Sequence, residues 1–300
     1  MAELPKNLFV GTAGWSYPDW AGIFYPKKGP SGFDELGYLA QYFNSVELNN
    51  TFYRPPRADY ARRWVERTRD VGRFHFTLKL WQRFTHQREE PYTDQEVSVF
   101  KEGIEPLAAS ERLGGILFQF PWSFRNSAET RDYLARLSKD FSAYRRFVEV
   151  RHRSWQNKEA FEFFRGLGLN WTNIDQPVSR TSVAPSAVVT GDAAYVRLHG
   201  RNYGAWFARD AGRDERYNYL YSDEELDEWV EKIQQLVGTV DFLYAFTNNH
   251  FRGQAPANAL QIMSKLTGAA VDVPETLSET YPFLRDIRRQ HTGDRTGRLF

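Results

Sequence analysis

The chain has 300 residues, of which 41% are hydrophobic, 26% are charged and none is cysteine. These values are typical of a soluble globular protein, and the absence of thiols excludes disulfides, zinc–thiolate sites, iron–sulfur clusters and a cysteine nucleophile. The net charge of +1 gives no electrostatic reason to expect nucleic acid or an acidic membrane as a partner. No signal-peptide pattern opens the chain and no apolar run approaches the roughly 20 residues that cross a bilayer, so we expect a cytoplasmic protein without a membrane partner.

Eight short runs along the chain have the composition of β-strands. They lie near residues 8–13, 44–49, 73–80, 115–120, 146–151, 169–174, 194–199 and 240–247. In several of them apolar and charged residues alternate, as where Val148 and Val150 are interleaved with Glu149 and Arg151. Because successive side chains of a strand point to opposite faces, each of these strands has one apolar and one polar face.

Most segments between the strands have the spacing of amphipathic helices. They cover residues 33–42, 60–69, 97–113, 127–137, 158–167 and 223–237. Asn126 and Ser222 are predicted N-caps, and Gly168 and Gly238 follow predicted helix ends. Strand–helix alternation predicts a parallel sheet, and eight strands in a chain of this length predict a single-domain (β/α)₈ TIM-type barrel. Since helices would cover the outside, the polar strand faces must point into the barrel.

The barrel domain is predicted to occupy residues 1–287, followed by an Arg- and Gly-rich flexible tail over residues 288–300. Two polar stretches, 85–95 and 200–221, follow the third and seventh strands and are predicted to be long loops. The second contains several aromatic residues and is predicted to form a lid, because long loops after barrel strands rise from the face where active sites form.

Chemically active side chains cluster at the predicted carboxyl ends of the strands. The candidate catalytic residues, chosen for acid–base chemistry, are Glu47, Lys79, Glu149 and His199. The candidate substrate-binding residues are Trp15, Tyr17, Asn49, Tyr53, Gln119, Arg151, Trp155, Asp175, Arg197, Arg201, Trp206, Asn248, Asn249 and His250. Arginines bind carboxylate or phosphate groups through two parallel hydrogen bonds, and the aromatic residues would wall the site.

The same charged residues permit other interpretations. A glycosidase pair of Glu47 and Glu149 needs a separation of about 5–9.5 Å, whereas strands two and five lie far apart around a barrel. Lys79 could form a Schiff base if its pKa were lowered, which nearby carboxylates would oppose. His199 with Glu149 and Asp175 could hold a divalent metal, but their spacing is not diagnostic and we assign no metal site. The purely structural alternative is a network of ion pairs that fills the barrel and has no role in catalysis or binding.

Several of these segments resemble the YecE-like family, a domain of unknown function with a TIM-barrel fold. The similar segments are Gly11–Tyr17, Val46–Arg54, Leu117–Pro121, Val148–Trp155, Val196–Gly200, Arg216–Ser222 and Asn248–His250, within roughly residues 8–287. The resemblance implies the barrel and, because these motifs fall on the predicted strand ends, one shared pocket. It implies no established reaction, and the sugar-isomerase-like label attached to the family rests on fold analogy.

We therefore expect an enzyme of sugar-isomerase or hydrolase type that acts on a small anionic or polyhydroxylated molecule, sugar-like or phosphorylated. No phosphate-binding glycine motif is present, and the sequence identifies neither a cofactor nor an oligomeric state. A second hypothesis is a nucleic-acid-binding or phosphodiester-processing protein, which the near-neutral charge argues against. Its basic rim would comprise Arg83, His86, Arg88, Arg151, Arg153, Arg201, Arg209 and Arg213. A third hypothesis is a non-catalytic metabolite sensor.

Overall fold

A closed barrel of eight parallel strands forms the centre of the molecule. The computed structural model describes residues 3–27, 29, 31–208 and 210–290, apart from the Arg213 side chain. The strands are β1 (Leu8–Ala13), β2 (Ser45–Leu48), β3 (His75–Lys79), β4 (Leu113–Gln119), β5 (Arg146–Glu149), β6 (Asn170–Asp175), β7 (Ala193–Leu198) and β8 (Phe242–Thr247). They are paired in chain order, and β8 closes the barrel on β1. The predicted (β/α)₈ barrel and its eight strands are confirmed.

Helices surround the barrel. Within the described residues the α-helices are α1 (Glu35–Leu39), α2 (Asn50–Tyr53), α3 (Ala58–Arg67), α4 (Gln82–Thr85), α5 (Asp94–Ala109), α6 (Ala128–Asp140), α7 (Lys158–Gly166), α8 (Tyr203–Trp206), α9 (Arg213–Arg216), α10 (Asp223–Val237), α11 (Gln254–Thr267) and α12 (Glu275–Thr280). Ser222 caps α10 as predicted, in a capping box with Glu225. The predicted cap Asn126 is wrong by one residue: Ser127 caps α6 and accepts a hydrogen bond from the Thr130 amide.

Two connections depart from the predicted pattern. Helix α11 is buried around most of its surface, so it lacks the one-sided apolar periodicity that identifies an amphipathic helix. The connection from β6 to β7, residues 176–192, contains no helix. It is tied instead to the segment after β5, because the Arg153 amide donates to the Thr181 carbonyl (2.7 Å) and the Val183 amide donates to the Arg151 carbonyl (3.0 Å). This connection therefore lies beside the carboxyl end of the barrel.

The two faces of the strands divide the core as the alternation predicts. Apolar residues such as Val148, Val196 and Leu198 belong to a large cluster that packs between the strands and the helices. A separate cluster fills the barrel interior with Phe9, Leu117, Phe147, Ala193, Tyr195, Tyr244 and Phe246. The charged residues of the opposite strand face, including Glu149 and Arg197, are buried inside the barrel. The apolar cluster inside the barrel thus supports a layer of buried charged residues.

Gly11 of β1 is required by the close approach of β2. A Cβ atom at position 11 would lie 1.9 Å from the Ser45 carbonyl oxygen, so the two paired strands would have to move apart. We expect Gly11→Ala to lower the free energy of unfolding by about 1–3 kcal/mol, the usual cost of overpacking a core. Gly72→Ala is the control, since no atom lies within 4 Å of its added Cβ. Equal urea midpoints for the two variants would contradict this expectation.

The end of the described chain is attached to the barrel domain. Arg288 forms a β-bridge with Val271, and the Arg289 guanidinium binds Asp272 at 2.8 Å. The first residues of the predicted tail therefore have partners, while residues 291–300 lie outside the described residues and their flexibility stays a prediction. None of the described helices combines the length and apolarity needed to cross a membrane.

Candidate active site

A cavity of about 1020 Å³ opens at the carboxyl ends of the strands. Residues at or just after the carboxyl ends of all eight strands line it, as expected for the face of a barrel that carries active sites. The sequence-predicted residues on its wall are Trp15, Tyr17, Asn49, Tyr53, Lys79, Gln119, Arg151, Arg197, Trp206, Asn248 and His250. The structure thus brings together most of the candidate substrate-binding residues, whose roles stay predictions.

Arg197 on β7 joins the acidic residues of two other strands beneath this cavity. Its Nη2 lies 2.5 Å from Glu47 Oε1, and its Nη1 lies 2.6 Å from Glu149 Oε2. The Tyr195 hydroxyl donates to Glu47 Oε2 at 2.7 Å and lies 2.7 Å from the Thr77 hydroxyl. Both carboxylates are fully buried. The predicted ionic network therefore exists, and one guanidinium bridges its two carboxylates.

This network favours the charged forms of Glu149 and Arg197. Burial opposes the charge of Glu149, but Arg151 and Arg197 hold the pKa of this carboxyl well below its usual value. Burial likewise opposes the charge of Arg197, while Glu149 and Glu47 raise its pKa. Neither carboxylate lines the cavity. Both carboxylates lie beneath the cavity wall and bind Arg197, and their predicted acid–base roles stay predictions.

His199 also lies beneath the wall rather than on it. Its Nε2 is 3.1 Å from Arg151 Nη2 and 3.4 Å from Glu149 Oε1, and its Nδ1 is 2.8 Å from the Asn248 amide nitrogen. Burial and then Arg151 lower the pKa of His199 from 6.5 to about 3, although Glu149 opposes this shift. The imidazole is neutral near pH 7 and contacts Arg151 and Asn248, and its predicted acid–base role stays a prediction.

Lys79, at the end of β3, borders the cavity directly. Its Nζ lies 4.1 Å from the centroid of the Phe52 ring. Burial is the largest influence on this amine; together with Arg197 it lowers the pKa of Lys79 from 10.5 to about 7, against the opposing effect of Glu47 and Glu149. The sequence argument expected those carboxylates to keep the pKa high, but they are already compensated by bound guanidinium groups.

Arg151 connects the buried network to the cavity. Its Nη2 lies 2.6 Å from Glu149 Oε1, its Nη1 donates to Gln176 Oε1, and its guanidinium sits 5.6 Å from the centroid of the Trp206 ring. These contacts hold the group in one orientation against the cavity wall. A fixed guanidinium at a cavity wall is suited to bind a carboxylate or phosphate group.

Aromatic rings form one side of the cavity. The His250 ring stacks on Tyr17 with 4.5 Å between centroids, Tyr217 lies 5.3 Å from His250, and Trp206 lies 5.7 Å from Tyr217. Trp206 and Tyr217 come from segment 200–221, which supplies part of the wall as predicted for the loop after β7. The other predicted loop, residues 85–95, does not line the cavity.

Trp155 and Asn249, two predicted site residues, lie in the core instead. Trp155 is fully buried, and its indole nitrogen donates to the Phe124 carbonyl at 2.8 Å. The Asn249 amide nitrogen donates to the Tyr219 carbonyl and to Asn258 Oδ1, each at 2.8 Å. These contacts support the connections around the barrel rather than the cavity wall, and the predicted roles of both residues in substrate binding stay predictions.

Asp175 and Arg201 also lie away from the cavity. Asp175 has the same strand parity as Trp171, which packs toward the helices, and it accepts a hydrogen bond from the Trp229 indole of α10 at 3.0 Å. Arg201 binds three carboxylates, listed with their distances as Asp175 (2.9 Å), Glu225 (3.1 Å) and Glu228 (3.0 Å). The charges of Asp175 and Arg201 compensate each other at the β6–β7–α10 contact, and their predicted substrate-binding roles stay predictions.

The hypothetical metal and nucleic-acid sites find little support in this geometry. The placement of Asp175 separates it from His199 and Glu149, and among the described residues no three His, Cys, Asp or Glu side chains are arranged to hold a metal ion. On the predicted basic rim, Arg83 binds Glu96 at 2.7 Å and Arg201 binds acidic residues. Arg209 and the Arg213 side chain fall outside the described residues.

Sequence reasoning missed part of the wall. The omitted polar residues on the cavity include Gln176, Ser179, Thr181, Ser182 and Arg216, together with Ser16 and Asn50. Four of them come from the helix-free connection after β6, where Pro177 and Pro185 lie in a Ser- and Thr-rich stretch. A long connection without helical periodicity is itself a signal for a binding loop. Arg216 begins the segment Arg216–Ser222 that resembles the YecE-like family, a signal that was present in the sequence and not used.

Comparisons with other proteins place the chain among known sequences. The family described as "Protein of unknown function DUF72" matches residues 9–281. The UPF0759 protein YunF of Bacillus subtilis (strain 168) is 30% identical over 272 residues, or 86% of this chain and 94% of YunF. The UPF0759 protein YecE of Escherichia coli (strain K12) is 29% identical over 173 residues, or 57% of this chain and 58% of YecE.

A solved structure agrees with these matches. The crystal structure of a DUF72 family protein from Thermotoga maritima MSB8 has 37% sequence identity and a TM-score of 0.76, and the match covers 86% of this chain and 98% of that one. The resemblance to the YecE-like family is thereby confirmed. The chain belongs to the DUF72 family of proteins of unknown function.

Proposed function

We propose that the protein is an enzyme that binds a small anionic molecule in this cavity and transfers a proton through the amine of Lys79. The observation that carries the proposal is the charge of the wall: Lys79, Arg151, Arg197 and Arg216 line it, and none of its described lining residues is acidic. A low-dielectric concave surface of one charge sign concentrates ligands of the opposite sign.

The acid–base part of the proposal rests on Lys79. General acid–base groups work best when their pKa lies near the working pH, and the pKa of Lys79 is lowered to about 7. The amine therefore exists in both protonation states near neutral pH. By contrast, Glu149 is held ionised and His199 is held neutral. Lys79 is the group on this wall that we expect to exchange a proton with substrate.

Neutral polar groups complete the proposed binding site. The side chains of Asn49, Gln119 and Asn248 border the cavity and offer both donors and acceptors of hydrogen bonds. They are suited to hydroxyl or carbonyl groups of a polar ligand. A few convergent polar groups within an aromatic wall are the usual composition of a small-molecule site.

Thermal unfolding with a panel of anions tests the proposal. We expect inorganic phosphate and citrate to raise the melting temperature by several degrees and glucose to leave it unchanged, because a ligand of the native state stabilises it. Arg216→Gln should weaken the apparent phosphate affinity about tenfold or more, since a hydrogen bond to a charged group is worth about 1.5–3 kcal/mol.

Arg180→Gln is the matched control. Arg180 is exposed on the β6–β7 connection and does not line the cavity, so its replacement removes the same charge without removing a wall group. An unchanged melting temperature with every anion, or equal losses in both variants, would contradict an anion site in the cavity. Stabilisation by an anion without turnover of any related metabolite would favour a metabolite sensor over an enzyme.

One observation favours a second candidate, the binding of single-stranded nucleic acid. Tyr53, Trp122 and Phe207 are exposed aromatic residues at the cavity, and the Arg125 guanidinium lies 5.1 Å from the centroid of the Trp122 ring. Exposed rings with neighbouring arginines are typical of sites where bases stack. Salt-dependent binding of a labelled oligonucleotide, weakened by Trp122→Ala, would support this candidate, and no binding at low salt would end it.

A further inference from the structure

We infer that Lys79 is a nucleophile that forms an imine with the carbonyl carbon of an anionic aldehyde or ketone. The inference rests on the proposed function, because it assigns a substrate class and a covalent step to the same cavity. It begins from the surroundings of the amine. Lys79 borders the cavity, and its Nζ lies 4.1 Å from the centroid of the Phe52 ring. With the described residues this nitrogen forms neither a hydrogen bond nor an ion pair within 4.0 Å.

Other lysines of the chain show how differently a structural amine is placed. Lys265 lies 2.7 Å from the carboxylates of Asp223 and Asp227. Lys158 is 90% exposed and keeps its amine in solvent. Lys79 combines a largely desolvated position with no protein acceptor, which is costly for a charged group. A neutral amine in the same place avoids that cost and keeps its lone pair available to a ligand.

Other wall groups indicate the kind of carbonyl compound. Arg151 and Arg216 lie on the same cavity and are suited to a carboxylate or phosphate on the ligand. Asn49 and Gln119, at the ends of the strands on either side of β3, can bind the carbonyl oxygen or the hydroxyl that replaces it. The chemistry on this wall therefore matches a small molecule with one anionic group and one aldehyde or ketone group.

The covalent step uses only water-derived protons. The lone pair of the unprotonated Nζ attacks the carbonyl carbon, a C–N bond forms, and the carbonyl oxygen takes up a proton. A proton then leaves the nitrogen, the hydroxyl is protonated and departs as water, and a protonated imine remains. In total one amine, one carbonyl group and one proton give one protonated imine and one water, with no change in oxidation state.

Neighbouring groups also stabilise the positive charge of the protonated imine. The face of the Phe52 ring attracts a cation at this distance. The carboxylates of Glu47 and Glu149 favour positive charge at the same nitrogen. The pKa of about 7 supports the step as well, since near neutral pH a large fraction of the amine is unprotonated and nucleophilic. Arginine cannot replace lysine in this role, because a guanidinium stays protonated.

Reductive trapping tests the inference directly. Wild-type protein would be incubated at pH 7 with glyoxylate, an anionic aldehyde, and sodium cyanoborohydride, and the modified lysines would be mapped by peptide mass spectrometry. We expect Lys79 to gain a carboxymethyl group at least about tenfold faster than exposed Lys158 in the same sample, because an ordinary lysine is almost fully protonated at this pH. Inorganic phosphate should slow the labelling of Lys79 and not that of Lys158.

The variants and outcomes separate the imine from the anion site. Lys79→Arg keeps a cation on the wall, so it should retain stabilisation by phosphate while labelling of Lys158 stays unchanged. If Lys79 reacts no faster than Lys158 and phosphate still stabilises the wild-type protein, the imine is wrong and the proposed function stands. If neither selective labelling nor stabilisation by phosphate is seen, both are wrong. The comparison of two lysines within wild-type protein holds even if Lys79→Arg fails to fold.

Discussion

An Arg197→Met variant is expected to lose about 3–5 kcal/mol of the free energy of unfolding, the usual cost of removing one partner from a buried ion pair. Arg197 lies 2.5 Å from Glu47 and 2.6 Å from Glu149, and all three side chains are buried inside the barrel. Without the guanidinium, two carboxylates from β2 and β5 would remain in the interior with much of their compensating charge removed. Urea unfolding measures the loss.

Two further variants show whether the loss comes from unpaired charge. Adding Glu47→Gln and Glu149→Gln to Arg197→Met removes the uncompensated carboxylates, so it should restore part of the lost stability. Arg57→Met is the control, because its ion pair with Asp59 is exposed and should contribute nothing measurable. A single Arg197→Met variant with the wild-type urea midpoint would show that the network does not support the barrel.

A Lys79→Met variant is expected to change how stability depends on pH. In the native protein the pKa of Lys79 is lowered from 10.5 to about 7. Between these values the unfolded chain binds a proton that the native protein lacks, so wild-type stability rises with pH in this window. Below pH 7 both states are protonated and the full cost of burying the charge is present. Methionine fills similar space without a charge and removes this dependence.

The size of the expected stability difference follows from the pKa shift of Lys79. One pKa unit corresponds to about 1.4 kcal/mol, so from pH 6 to pH 9.5 wild-type protein should gain roughly 3 kcal/mol relative to Lys79→Met. Urea unfolding of both proteins at the two pH values gives this difference. Lys158→Met, at an exposed position, should show none. Parallel pH dependences for wild type and Lys79→Met would mean that the amine titrates like an ordinary lysine.

Strand periodicity predicts both the fold and which side chains point into the barrel interior. The alternation of Val148 and Val150 with Glu149 correctly indicates which face of β5 points inward, because a helical layer outside leaves the charged face only the interior. Periodicity does not indicate how far an inward-pointing side chain lies from the cavity wall. Glu149 is buried beneath the cavity, whereas Arg151, two residues on, reaches its wall. This difference depends on partners from distant strands.

Position at a strand end was a weaker guide. Asp175 stands at the end of β6, but its parity with Trp171 directs it toward α10, a signal that was present in the sequence and not used. Trp155 lies outside the apolar runs of the sequence, which favoured a binding role. The turn after β5 nevertheless places its side chain in the core. The low pKa of Lys79 was not predictable, because it results first from burial and then from Arg197, which together outweigh the opposing effect of Glu47 and Glu149.

A crystal structure of the protein grown with inorganic phosphate would test the central claim most directly. That claim is that an anion binds in the cavity, within reach of the arginine and lysine side chains of its wall. The predicted result is phosphate inside the cavity, within hydrogen-bond distance of Arg151 or Arg216 and of Lys79. Phosphate bound only to exposed arginines elsewhere, with none in the cavity, would contradict the account.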